Sequence, residues 1–516
     1  MKRFLLILCF CQLFVTTLKA SDSTLVAKKM VEDVNRSFYL NQLEAYKLIP
    51  ANLWLWNNGD FSSISVNGRF DKGEFKQVQG FQQNEGLSFK SESVQSFPEE
   101  GWRFYGNFTF HLSDHQDASW NLGYKNSEIG NPFSLLTERN GNFNVKHYGL
   151  EGIINKKLGK KFSIGFGLNY RGDLYFRLSD TRNEYYNLKL EVAGAVDYKL
   201  ADHQTLSIGS SYYYKKSSPE FSNEFKTSGS EYYLYFNEGL GDFNEIAMSQ
   251  KFYLKDQHPK YFIGYRSGQQ NTFSITYSAY PGNEHWDYKI TSMLTDTDKE
   301  LYKYEYFNNK LLSSFLIDKS NYKSYNSLEA NYISGTGYKN RGEVFQKTYL
   351  YDGFNLKAES ELLRPNADLF RLSSMNISFE NIRKKDMVYA HQIEYTNIKA
   401  EIKTGYSFEL NSANELVFDL EGAYKHNLSY THDVVSAGSK PYTLNLAYNE
   451  VAYHTTSYYT IGGELKWFQQ LDKMATELLI SFRHLTPSNI KINNPYSFIN
   501  KKEFRYFLNT SLNFYF

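Results

Sequence analysis

From Phe162 to Leu178 the chain alternates with a period of two. Phe162, Ile164, Phe166, Leu168, Tyr170, Leu174, Phe176 and Leu178 fall on one side. Ser163, Gly165, Gly167, Asn169, Arg171, Asp173, Tyr175 and Arg177 fall on the other. Successive strand residues point to opposite faces, so this is a strand with one greasy and one polar side. The next segment repeats it. Tyr186, Leu188, Leu190, Val192, Val196, Tyr198 and Leu200 alternate with Asn187, Lys189, Glu191, Ala193, Ala195, Asp197 and Lys199. Both runs exceed the roughly 5–6 residues on which soluble strands centre. They suit a tilted membrane strand, which needs about 9–11 residues within the bilayer. The aromatic ends of the apolar faces (Phe162, Phe176, Tyr186 and Tyr198) fit girdles at the two membrane interfaces.

The connections alternate in length. Short polar turns are expected at 156–161, 200–204, 383–387 and 411–415, with similar breaks at 113–117, 255–259 and 471–475. Longer loops rich in Asn, Ser, Gly and Pro are expected at 126–142, 217–228, 335–345, 433–441 and 486–502. Outer-membrane barrels have short periplasmic turns and long external loops. The recurring hairpin-plus-loop unit predicts an all-β, antiparallel transmembrane barrel of roughly 16–18 strands over 59–516. No fixed-period repeat of the propeller or solenoid kind is present.

The N-terminus departs from this pattern. Residues 1–20 read as a signal peptide, with Lys2 and Arg3 ahead of an apolar run from Phe4 to Val15 and a cleavage site at Leu18-Lys19-Ala20. The run is too short for a permanent membrane anchor. Both cysteines, Cys9 and Cys11, lie inside it and neither follows a lipoprotein-type small residue. The processed chain would then carry no disulfide, thiolate metal site or cysteine nucleophile. Residues 24–48 predict the one helical stretch, with Val26, Met30, Val34 and Phe38 at about four-residue spacing. It belongs to a 21–58 segment that either packs on the periplasmic side or enters and plugs the lumen.

Composition supports the barrel. Aromatics make up 17% of the 516 residues, with 44 Tyr and 40 Phe, yet mean hydropathy is −0.55. A wall that is lipid-facing on one side and wet on the other averages to such a value. The formal charge of +1 becomes −2 once Lys2, Arg3 and Lys19 are removed. That is no basic excess of the kind that binds nucleic acid. At the C-terminus, Phe504, Tyr506, Leu508, Thr510, Leu512, Phe514 and Phe516 occupy alternate positions. Phe504, Tyr506, Leu508, Leu512, Phe514 and Phe516 resemble the terminal-strand signal read by the barrel-assembly machinery. A soluble protein would rarely leave such an aromatic edge uncovered. The expected location is therefore the outer membrane, among its lipids.

Part of the chain is similar to a family of uncharacterised outer-membrane barrels of Gram-negative bacteria, known only as a domain of unknown function. Trp102, Tyr105, Gly106 and Trp120 match an aromatic hairpin, and Asn131-Pro132-Phe133 matches a loop. Tyr170-Arg171, Tyr175, Arg177, Asp180 and Arg182 resemble a Tyr-Arg, Asp-Pro-Arg pattern in which Thr181 replaces the proline. The match lies in 102–200 and implies a barrel and the outer membrane, with no activity to carry over.

Chemistry is sparse. Arg171, Asp173, Arg177, Asp180 and Arg182, with Lys189 and Glu191 on the neighbouring strand, form the candidate polar network of the lumen. It would act either as a constriction or ligand ladder, or as an ion network that fills the lumen and fixes register. Its mixed signs argue against a strongly ion-selective ring. His111 and His115 would be separated by roughly 13 Å on a strand, which does not suit a shared metal. No cofactor is implied. No Gly-x-Ser-x-Gly elbow or phosphate loop occurs, and His454-Thr455-Thr456 and Arg483-His484 lack a tie to a nucleophile. The leading expectation is a channel or solute-uptake barrel rather than an enzyme. The alternatives are an accessory barrel for a transporter or secretion complex, and a barrel-embedded hydrolase.

Overall fold

The computed structural model describes residues 43–516 apart from 57–58, 124–128, 180–181, 223–233, 241–242, 247–250, 270, 292–295, 343, 365–368, 434–440, 473 and 490–502. The expected signal peptide and most of the helix expected over 24–48 lie outside the described residues. Residues 43–47 are helical, and a 3-10 helix that periodicity did not foretell follows at Pro50–Leu55. Pro50 opens it, where a missing N–H costs nothing.

The strands, in chain order, are β1 (Phe61–Gly73), β2 (Gln83–Phe97), β3 (Trp102–Ala118), β4 (Ser134–Leu136), β5 (Gly141–Leu158), β6 (Phe162–Arg177) and β7 (Arg182–Ala201). Then come β8 (Gln204–Ser222), β9 (Leu234–Asn237), β10 (Phe243–Ile246), β11 (Lys251–Ser267), β12 (Thr272–Thr291), β13 (Asp296–Asp318) and β14 (Lys323–Asn340). The last are β15 (Phe345–Leu363), β16 (Leu369–Asp386), β17 (Gln392–Asn411), β18 (Asn414–Asp433), β19 (Ser457–Gln470), β20 (Ala475–Asn489) and β21 (Arg505–Tyr515). Helix α1 spans Pro441–Thr455. Eighteen strands form one antiparallel sheet that closes where β21 pairs with β1. The closing seam ends in reciprocal bonds between Ser62 and Phe516. Closure leaves no edge strand, which a bilayer would not tolerate. Strands β4, β9 and β10 form a separate three-stranded sheet.

The burial pattern is that of a transmembrane barrel. Phe166, Ile208, Ile402 and Ile461 stand more than half exposed on the outer face, while Ser163, Asp173, Asp197 and Glu284 are buried inside. Exposed apolar residues in this number have a physical home only in acyl chains. The fold is an outer-membrane β-barrel. The start of β1, the end of β21 and the turns at 159–161, 202–203 and 412–413 share one end, the periplasmic end by the shortness of the turns.

Several expected connections are strand instead. Residues 113–117 lie within β3, 255–259 within β11, and 383–386 within β16, with the turn following at 387–391 on the external end. Strands also run further into the expected loops at 217–228, 335–345 and 486–502. The cause is the wet interior. Asp256 and His258 face inward and bond each other at 3.1 Å, and Tyr306 donates to Asp256 at 2.8 Å. Polar residues that look like a turn are wall residues of a filled lumen. Pro259 leaves its mark, because residues 257–260 pair with β8 but not with β12.

A chamber between two caps as the candidate functional site

The periplasmic end of the lumen holds residues 43–56. Leu43, Ile49, Ala51, Leu53 and Trp56 are essentially fully buried. Leu43, Leu53 and Trp56 pack on Phe61, Val94, Tyr105, Ile153, Tyr325 and Leu363 from six different strands, and Ile49 and Ala51 pack on Ala195 and Phe262. Arg103 donates from one guanidinium nitrogen to the carbonyls of Leu53, Trp54 and Trp56 at 3.0, 2.9 and 2.5 Å. These carbonyls lie at the C-terminal end of the 3-10 helix, where a cation is favoured, and that of Leu53 also accepts from the Trp56 N–H at 3.1 Å. Asn155 donates to the carbonyl of Ala51 at 2.6 Å, and Lys47 pairs with Glu151 at 3.0 Å. Gly165 makes the fit possible: a Cβ there would sit 2.3 Å from the carbonyl carbon of Pro50.

The external end is closed by loops. The β4–β9–β10 sheet folds into the mouth. Ile129, Phe133, Leu135 and Phe236 pack there against Trp286, Tyr302, Tyr349 and Tyr395 of the wall and Val451 of α1. Phe236 and Tyr302 stack at 4.2 Å. Polar ties fix this dry core to the wall. Tyr304 donates to the carbonyl of Ile129 at 2.7 Å. Asn131 donates to Glu284, and Lys339 pairs with Glu238 at 2.6 Å. Gly130 has φ +73° and would place a Cβ against the Tyr351 ring, so only glycine fits.

Between the caps lies a polar chamber. One hollow of about 260 Å³ is lined by Asn169, Arg171, Lys189, Glu191, Tyr213 and Asp256 among others, with Ile129 of the outer cap above. A second, of about 180 Å³, shares Asn169, Glu191 and Lys260 with it and reaches Glu44, Lys47 and Pro50 of the inner cap. Arg171 donates to Asp173 at 3.1 Å. That carboxylate also meets His147 at 2.6 Å and Asn187 at 2.8 Å. Glu191 accepts from Ser211 at 2.6 Å. Across the lumen, Lys403 and Lys466 each pair with both Asp419 and Glu464 at 2.7–3.3 Å.

The expected polar cluster therefore divides. Arg171, Lys189 and Glu191 line the chamber, and Asp173 supports Arg171 from within the wall. Arg177 is fully buried and donates to the carbonyls of Arg139 and Asn140, so it anchors the outer loop. Arg182 opens β7 next to buried Asn183, and its Nε is closed to solvent. Asp180 lies outside the described residues. His454, Thr455 and Thr456 are absorbed structurally: both threonine hydroxyls donate to α1 carbonyls, and His454 stacks on Tyr395. His111 and His115 stand on one strand, and His115 stacks on Phe81. Phe504 and Leu508 lie exposed on the outer face, with Tyr506, Leu512, Phe514 and Phe516 in the same alternation along β21. Sequence reading missed both the Lys215–Glu284 pair and the aromatic core of the outer cap. Inward tyrosines on β13 and β15 were its one signal, visible as Tyr302, Tyr304, Tyr306, Tyr349 and Tyr351 in alternation.

No curated protein matches the chain. Among solved structures it is similar to the ferric preacinetobactin receptor BauA of Acinetobacter baumannii, at 7% identity over 88% of this chain and 80% of that one, with a TM-score of 0.40. It is similar also to the FrpB iron transporter of Neisseria meningitidis, at 10% identity over 90% and 83%, with a TM-score of 0.44. A third is the toluene transporter TodX of Pseudomonas putida, at 10% identity over 91% and 92%, with a TM-score of 0.29. Over residues 50–516 the chain matches the family of unknown function DUF6850, and it belongs to that family.

Proposed function

We propose that this protein is a solute-passage barrel of the outer membrane, held closed at both ends in its resting state. The supporting observation is the chamber itself, a polar space flanked by two caps that are separate from each other in sequence. A barrel meant only as a scaffold needs no hydrated space, and packing the interior with side chains would stabilise it more. Passage requires each cap to yield in turn, and each is tied to the wall by a small number of polar contacts around an apolar body. A second reading, a non-conducting accessory barrel for a transporter or secretion complex, draws on the dryness of the outer cap.

Ion conductance across planar bilayers separates the two. Purified protein with intact caps is expected to be silent, and protein with both caps loosened is expected to conduct. Silence in the loosened protein, with the barrel folded, would leave the accessory reading. We propose also that the outward aromatic row on β21 is the face met by the assembly machinery.

A further inference from the structure

We propose that the lumen selects small uncharged polyhydroxy solutes, and that ion pairs built into single strands make it indifferent to the sign of a charge. The inference rests on the solute-passage reading and names the class of solute.

Strand period supplies the first argument. On six strands a basic residue and a carboxylate stand two positions apart on the inward face, because side chains two apart share one side. The pairs are Arg69–Asp71 on β1, Lys90–Glu92 on β2, Arg171–Asp173 on β6, Lys357–Glu359 on β15, Lys399–Glu401 on β17 and Glu464–Lys466 on β19, at 2.5–3.1 Å. Each pair adds no net charge to the wall. A solute charge beside it feels both members at similar distances, and the two contributions largely cancel.

The hollows supply the second. A third hollow, of about 330 Å³, lies on the wall opposite the first two and is lined by Arg69, Lys399, Glu401, Glu421 and Arg483 among others. Seven Lys and Arg side chains line the three hollows, against six acids: Glu44, Glu151, Glu191, Asp256, Glu401 and Glu421. Six of the seven cations (Lys47, Arg69, Arg171, Lys260, Lys399 and Arg483) stand 3.8 Å or less from a carboxylate. Both signs reach the lumen. The side chains of Arg69 and Arg483 are 51% and 44% exposed, and those of Glu44 and Glu401 are 62% and 32% exposed.

Hydrogen-bond chemistry supplies the third. A hydroxyl both donates and accepts. It can therefore accept from the cation of a pair and donate to its carboxylate without parting them. Arg69 meets Asp71 through one terminal nitrogen and Arg483 meets Glu421 through Nε. A guanidinium carries five N–H groups, so each keeps donors for a solute. An ion has no such match: one member of the pair attracts it, the other repels it, and it loses hydration on entry. The hollows, of about 180, 260 and 330 Å³, lie at or below the lower end of the roughly 300–1,000 Å³ of drug-sized sites, which sets the solute at one or two sugar rings.

The test is solute entry into liposomes carrying the full chain opened by G165V and G130V, which set a Cβ against Pro50 of the inner cap and against the Tyr351 ring at the outer one. The probes are glucose, glucuronate and protonated glucosamine, which share a ring and differ in charge. Glucose is expected to enter several-fold faster than either ion, and the two ions are expected to enter within about twofold of each other. The reversal potential across a KCl gradient should lie near zero in this protein. Adding R483Q should move it toward cation selectivity, and adding E401Q toward anion selectivity. Entry of one charged sugar roughly fivefold or more faster than the other, as a ring of one sign would give, would overturn the inference. So would either ion entering as fast as glucose, or R483Q and E401Q shifting the potential in the same direction. R103M/G130V replaces the opened variant if G165V fails to fold, since R103M strips the inner cap of a shared donor. Exclusion of all three probes by a folded, opened barrel would overturn the passage reading and this inference with it. Entry with a preference for one sign would overturn this inference alone.

Discussion

Lys215 and Glu284 meet at 2.5 Å with neither side chain exposed, and Asn131 of the outer cap donates to the same carboxylate. The pair thus joins the barrel wall to the cap. Removing one partner of a buried pair leaves the other charge unmatched, at about 3–5 kcal/mol. K215M should lower stability by that order in denaturant unfolding, and should free the outer cap as well. K215M/E284M should recover most of the loss, because a buried pair replaced by apolar groups is near neutral. Equal destabilisation in the single and double variants would refute the coupling.

How much of this was legible beforehand follows from the period-two rule. Alternation from Phe162 to Leu178 implied β6 and the direction of each of its side chains, because lipid and water face opposite sides of one strand. The same rule misplaced 113–117 and 255–259, where a wet interior makes wall residues look like turn residues. The caps were hidden for another reason. The contact of Pro50 with Gly165, or of Gly130 with Tyr351, joins segments more than a hundred residues apart, and no local pattern encodes it.

The loop between β1 and β2 carries a pH-dependent element. Burial, aided by the charge of Arg505, lowers the Lys76 pKa from 10.5 to about 8. Lys76 donates to the carbonyls of Gly80 and Asp117 at 2.8 and 3.3 Å, tying the loop to the end of β3. Between about pH 8 and 10.5 the unfolded chain keeps a proton that the folded one has released, so stability rises with pH across that window. Below about pH 8 the penalty of the buried charge is present in full. K76M should flatten this part of the stability–pH curve. An unchanged slope in K76M would assign the effect elsewhere.

Gly165 offers a way to displace the inner cap without touching it. A Cβ there would lie 2.3 Å from the Pro50 carbonyl carbon and 2.4 Å from the Ala51 nitrogen, both backbone atoms that cannot rotate aside. G165V should expel residues 43–56 from the lumen while β6 keeps its pairing. Limited proteolysis should then cut within that segment roughly tenfold faster or more, with the barrel band unchanged. R103M, which strips three carbonyls of their common donor, should act in the same direction but more weakly. Equal protection of the segment in wild type and G165V would refute the close packing.

The two caps close one path in series, and this determines how their variants combine. Opening one of two barriers in series leaves the other in control of flow. G165V alone should therefore raise bilayer conductance little, since the outer cap still carries its core of Phe133, Phe236, Trp286 and Tyr302. G130V alone should behave likewise: it forces a side chain onto a residue at φ +73° and into the Tyr351 ring, while the inner cap stays seated. The double variant should conduct far more than the sum of the singles. Additive or absent gains in the double variant, with the barrel still folded, would mean that the chamber is not part of a continuous path.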